Sequence, residues 1–189
     1  MQDKPLIGKT IAIMVANGFD ENEFAQVQRK LVEAGATSKV ISRAAGLVNG
    51  WYDGTWGHFF PVDTDLADVL AIDYHGLVVP GGARGVEKLA DEAHAMRILK
   101  AFMRADMPVA LIGDGVGLLT KVEMAKGRTL TSSEEVSEVL KEAGASWEAG
   151  PVIEEGGLVT ATGAPAVDEA MALLFPRVAT YEEEVNKAA

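Results

Sequence analysis

Apolar residues in this chain fall into short unbroken runs, separated by stretches where they recur at three- and four-residue intervals. Residues 9–16, 37–42, 74–80 and 108–112 are the runs, and 11–16 reads Ile-Ala-Ile-Met-Val-Ala. Runs this short that lack polar alternation fit strands covered on both faces, as in a parallel sheet. Between the first two, Phe24, Val27, Leu31 and Val32 keep helical spacing up to Ala34, and Gly35 closes the helix. Asp20 stands at the N-cap position with Glu23 three residues later, the spacing of a capping box. A strand, a helix and a second strand in that order predict parallel pairing.

The remaining pattern adds a short helix over 65–70 and a helical stretch over 86–105, with Asp91 as a restart cap. It also predicts helices over 117–125, 134–143 (capped by Ser132 or Ser133) and 165–175, and a short strand over 129–131. Residues 152–155 and 158–162 read as a hairpin around Gly156-Gly157. Residues 46–62 differ in character: Asn49-Gly50 and Asp53-Gly54 are turn signals set among aromatic residues, including Trp51 and Trp56. That stretch predicts a small antiparallel excursion on the sheet edge, packed on its own domain or against another subunit. Nothing suggests a repeat or linker, so residues 1–189 read as one domain. The charged tail, 182–189, is expected to pack weakly.

Candidate chemistry gathers where strands give way to glycine. After 108–112 come Gly113-Asp114-Gly115-Val116-Gly117, a tight turn into a helix. In an open α/β sheet, a turn at the carboxyl end of a central strand is where ligands bind and nucleophiles are mounted. Here glycine holds the apex, and the chain has no cysteine. Asp114 stands where a helix N-cap is wanted; alternatively it is a second cleft carboxylate, sharing a proton with Glu23 or holding a cation. Pro80-Gly81-Gly82 follows another strand and offers backbone N–H groups as an anion nest, or is simply a tight turn. His58, His75 and His94 are far apart in sequence and read as structural or solvated. No Gly-x-Ser-x-Gly elbow, dinucleotide fingerprint or phosphate-binding Gly-Lys-Ser pattern is present.

Composition narrows the classes further. A net charge of −11 over 189 residues disfavours nucleic acid and anionic membrane as partners. The absence of cysteine excludes disulfides, thiolate metal sites and thiol nucleophiles. No apolar stretch approaches the roughly 18 residues of a membrane span, and 11–16 is too short for a signal segment. The expectation is a cytoplasmic protein with no cofactor and no metal, forming a homodimer or larger homo-oligomer and taking a small-molecule ligand.

Three segments carry a family resemblance: Gly18-Phe19-Asp20-Glu21-Asn22-Glu23, Val78-Val79-Pro80-Gly81-Gly82, and Pro108-Val109-Ala110-Leu111-Ile112-Gly113-Asp114-Gly115. In order and spacing they resemble the PfpI/ThiJ superfamily, class I glutamine amidotransferase-like proteins, from about residue 9 to 175. The resemblance implies a flavodoxin-like three-layer sandwich, mainly parallel, with helices on both faces. It also implies an elbow cysteine, often followed by histidine, with a glutamate from the first helix beside the thiol. An oxyanion hole of backbone N–H groups would complete the site. Carried over, the glutamate falls on Glu23, the oxyanion-hole glycines on Gly81 and Gly82, the cysteine position on Gly113 and the histidine position on Asp114. Residues 8–13, 42–46 and 108–114 are similar to the C-terminal domain of large-subunit catalases, which has the fold without the cysteine.

Two functions follow as expectations. One is a non-catalytic or cysteine-independent binding or stress-associated module, in which Gly81, Gly82, Gly113 and Asp114 line the binding site. The other is a hydrolase, hydratase or glyoxalase-like lyase using Glu23, alone or with Asp114, as general acid or base on a small carbonyl compound. A partner subunit acting in trans, as the catalase appendage does in cis, is a weaker third.

Overall fold

Side chains on the buried strands alternate between two cores, and this alternation sets the layers. The computed structural model describes residues 3–188, with side chains from 182 onward outside the described residues, so the packing of the tail is outside them too. The first strand, β1 (Thr10–Met14), sends Ala12 and Met14 to one side and Ile11 and Ile13 to the other. In chain order there follow β2 (Phe19–Asp20), α1 (Glu21–Glu33), β3 (Thr37–Ser42), β4 (Leu47–Tyr52), β5 (Thr55–Pro61) and β6 (Thr64–Asp65). Next come β7 (Gly76–Val79), α2 (Ala83–Ala90), α3 (Ala93–Arg104), β8 (Val109–Ile112) and α4 (Leu118–Lys121). The chain ends with β9 (Thr129–Leu130), α5 (Ser137–Glu142), β10 (Ser146–Trp147), β11 (Val152–Glu155), β12 (Leu158–Ala161) and α6 (Val167–Ala188).

Seven strands form one sheet in the order β11-β12-β8-β7-β1-β3-β6, parallel except for the β11–β12 hairpin. Helices α1 and α6 cover one face through Phe24, Val27, Leu31, Met171 and Leu174. Helices α2 to α5 cover the other through Leu89, Ile98, Phe102, Leu119 and Leu140. The mainly parallel three-layer α/β architecture is therefore present. Each strand residue buried on both sides loses most of its contact with water, the dominant favourable term in folding. From β1 the chain steps outward to β3 and β6, then returns to β7 on the other side of β1. The order therefore reverses between β1 and β7, the crevice where ligands bind in such sheets.

Several local readings change. The aromatic excursion is an antiparallel β4–β5 pair, but it joins β2 rather than the edge of the main sheet, with Phe19 opposite Gly50 and Asp20 opposite Trp51. Asn49-Gly50 is no turn; it lies inside β4 at a register shift, and only Asp53-Gly54 turns the chain. Phe60 packs against Phe19 and Phe24, and Arg84 lies 4.1 Å over the Trp51 ring, while Phe59 on the outer face is 64% exposed. Val32 is 67% exposed, since it sits one position past the buried stripe that ends with Leu31.

The 86–105 helix is two helices, and Glu92 caps the second, because Asp91 still belongs to the end of α2; Glu92 Oε1 accepts from His94 N. Residues 65–70 hold only a short 3-10 turn after β6, a strand too brief to show periodicity. Helix α4 is shorter than 117–125, since Glu123 takes φ +57. Helix α6 starts after Pro165 but runs through Pro176, where the spacing predicts a stop. A proline forfeits one helical hydrogen bond, but here fully buried Val178 lies in the core just beyond it.

Candidate functional site

Glu23 leaves the first turn of α1 on the side that faces the ends of β7, β8 and β12, and it is only 5% exposed. Its position follows from the cap before it. Asp20 Oδ1 accepts from Glu23 N at 2.9 Å, and Asp20 N donates to Gly81 O at 2.9 Å. The Asp20 cap is real, but the capping box is half-made: the Glu23 carboxylate does not return to Asp20. Its Oε2 accepts instead from Gly81 N at 2.6 Å, across the switch-point crevice.

Glycines make this burial sterically feasible. An ideal Cβ on Gly81 would lie 2.9 Å from Glu23 Oε2, and one on Gly113 would lie 2.9 Å from Oε1. One on Gly163 would stand 3.5 Å from Oε1. Gly113 has φ +57, a region that residues with a Cβ enter at a cost. The elbow apex is thus both left-handed and pressed against the carboxyl of Glu23. Gly82 starts α2 at φ +98, packed on the backbone of residues 18–20.

Burial sets the electrostatics. Desolvation pushes the Glu23 carboxyl from 4.5 up to about 8, and the nearby charges of Asp20 and Asp114 push in the same direction. The hydrogen bond from Gly81 N opposes this without cancelling it. At neutral pH the group is largely protonated, so it carries an O–H donor as well as an acceptor. Among the described residues, no hydrogen bond reaches Oε1.

Asp114 does not cap the following helix. The chain after β8 is a 3-10 turn over residues 113–117 with no side-chain cap bond, so the geometry a cap needs is absent. Asp114 Oδ1 accepts from Ser133 Oγ at 2.5 Å instead. Neither Ser132 nor Ser133 caps the next helix either: Ser132 Oγ donates to Ser133 O and accepts from Trp147 Nε1. Ser133→Ala is expected to lower stability by about 1 kcal/mol in chemical denaturation, the typical net worth of one hydrogen bond.

Of the histidines, His75 Nδ1 accepts from Thr10 N, and His94 lies in the first turn of α3. His58 pairs through Nδ1 with Glu21 Oε1, and its backbone N donates to Glu21 Oε2 at 2.9 Å. Glu21 sits under Gly50 and Gly57, so this buried acid ties the β4–β5 hairpin to the start of α1. Two contributors were missed in sequence. Gly163 had a signal, since it follows a strand end as Gly81 and Gly113 do. The Glu21–His58 pair, 37 residues apart, had none. Among the described residues, no group of three or more His, Cys, Asp or Glu is placed to hold a metal, and no helix is long and apolar enough to cross a membrane.

A glutamate from the first helix thus lies beneath a strand-end elbow, facing glycine turns from two neighbouring strands. Residues 9–175 match the model of the DJ-1/PfpI family. This chain belongs to the DJ-1/PfpI family. It is 33% identical over 150 residues to an uncharacterized protein of Archaeoglobus fulgidus, covering 79% of this chain and 86% of that one. A ThiJ/PfpI domain protein from Brachyspira murdochii superposes with a TM-score of 0.82 at 21% identity, over 92% of this chain and 97% of that one. A two-domain Anabaena variabilis protein with DJ-1/ThiJ/PfpI-like and ferritin-like domains gives a TM-score of 0.84 at 19% identity. That match covers 90% of this chain and 48% of the Anabaena chain, so this chain spans about half of it.

Proposed function

We propose that this DJ-1/PfpI member is a cysteine-independent binding module, whose elbow holds a small polar molecule without forming a covalent bond to it. The observation that carries the reading is Gly113 at the elbow apex of a chain with no cysteine, packed against the buried carboxyl of Glu23. Thiol attack needs a thiolate, and the position where the resemblance implies one bears only hydrogen. The groups that remain at the apex are donors, chiefly the protonated Glu23, since Gly81 N already donates to its Oε2. They favour a ligand that presents carbonyl or carboxylate oxygen. Leu47 and Pro61 pair across the outer face of the β4–β5 hairpin beside exposed Phe59, an apolar face that supports self-association.

A second reading is favoured by the burial of Glu23, which pushes its carboxyl up to about 8. A group balanced near the operating pH can exchange a proton with substrate, and water as nucleophile would then hydrate or hydrolyse a small carbonyl compound. The purified protein, assayed with methylglyoxal, a glycated peptide and casein, is expected to stay at background. Methylglyoxal is expected to shift the amide resonances of Gly81 and Gly113 saturably. Turnover that disappears in Glu23→Gln would overturn the binding reading and establish the second.

A further inference from the structure

We propose that the chain carries a second small-molecule site, separate from the elbow, that takes small organic monocarboxylates in the cavity at the carboxyl ends of β1 and β3. The cavity holds about 240 Å³ and lies on the side of the sheet covered by α2 and α3. The residues that bond or crowd Glu23 (Asp20, Gly81, Gly113 and Gly163) do not line it. Its walls divide by chemistry. Leu66 and Leu89, both buried, form an apolar half with Ala16 and Ala44; Arg43 and Lys88 bring two cations to the other.

Those two cations make no hydrogen bond to an acid. Arg43 Nε stands 3.6 Å from Asp65 Oδ1 and 4.0 Å from Glu92 Oε2, near enough to attract but too far to donate a hydrogen bond. Each acid also accepts from a backbone amide, Asp65 Oδ1 from Ala67 N and Glu92 Oε1 from His94 N. Among the described residues, no protein acceptor takes a hydrogen bond from Arg43, and Lys88 makes no ion pair, its Nζ lying 5.6 Å from the Trp56 ring centre. Ser42, fully buried behind the cavity wall, accepts from Ala44 N through Oγ and fixes the turn that carries Arg43.

The ligand class follows from these walls. A guanidinium fork and an ammonium recognise a carboxylate by charge-assisted hydrogen bonds. The part-exposed methyls of Ala16 and Ala44 reward a short apolar tail and do nothing for an inorganic anion. Glu92, also on the wall, repels a second carboxylate, which disfavours diacids.

The test titrates the full chain with sodium butyrate, sodium succinate and sodium sulfate at fixed ionic strength, followed by amide NMR. Butyrate is expected to bind saturably, on the order of 1 mM or tighter, with shifts at Arg43, Leu66 and Leu89. Arg43→Gln and Lys88→Gln are each expected to weaken it about tenfold, and Glu23→Gln to leave it unchanged. If Arg43→Gln fails to fold by circular dichroism, Lys88→Gln decides. Absence of saturable butyrate binding, equal binding of sulfate, or succinate binding as tightly as butyrate would overturn the proposal. So would butyrate binding that survives both cation variants, or that is lost in Glu23→Gln. The elbow reading stands or falls on separate measurements.

Discussion

Glu23→Gln is expected to stabilise the protein increasingly as pH rises, with little difference from wild type near pH 5 and the largest near pH 9. The reason is the difference in proton binding between the two states. In the folded chain the Glu23 carboxyl titrates at about 8, against 4.5 when exposed. Between those values the folded state holds a proton that the unfolded state has released, so stability falls as pH rises through the window. The contribution is whole below about 4.5 and gone above about 8. Its full size is at most about 5 kcal/mol. Glutamine is close in shape to the protonated acid, accepts from Gly81 N through its oxygen, and cannot ionise. Urea unfolding at pH 5, 7 and 9 measures the divergence; parallel profiles for the two proteins would contradict it.

Gly113→Ala, and equally Gly113→Cys, is expected to destabilise the fold by roughly 1–3 kcal/mol, through two additive causes. The residue must hold φ +57, and its Cβ would arrive 2.9 Å from Glu23 Oε1. The carboxyl cannot simply withdraw, because Oε2 is fixed by Gly81 N at 2.6 Å. Placing Gly113→Ala in a Glu23→Ala background separates the causes. The steric part disappears and the cost falls to the backbone part, about 1 kcal/mol. An undiminished cost in that background would show that Glu23 does not press on the apex. Gly113→Cys also restores sulfur to the elbow. Activity gained by that change would show that the rest of the site is intact.

The fold was legible because its central strands are buried on both faces. Residues 11–14, 77–79 and 109–112 have no polar partner to alternate with, and that unbroken apolarity is what a parallel sheet between two helix layers imposes. Errors came where a tertiary partner outweighed a local signal. Asn49-Gly50 has the composition of a turn, yet β2 pairs with it and makes it strand. Pro176 is a helix stop, yet the burial of Val178 carries α6 through it. Asp114 and Ser133 each look like caps, but they bond to one another across 19 residues, a partnership no local rule encodes.

The site was legible in part for the same reason. Glu23 sits three residues after an N-cap, a spacing shared by an ordinary capping box and by a carboxyl that points into the crevice. Only the Gly81 amide, 58 residues away, separates them. Glycine at 81, 113 and 163 is readable as a turn residue at each strand end. That all three clear space around one carboxyl is a property of the assembled sheet.

The central claim is that the elbow of this family member holds a neutral carboxyl and no nucleophile. Side-chain ¹³C NMR of the glutamate-labelled protein, with Glu23→Gln to assign the resonance, measures it directly. A titration midpoint near 8 is the expected result; a midpoint at the ordinary carboxylate value near 4.5 would contradict the account.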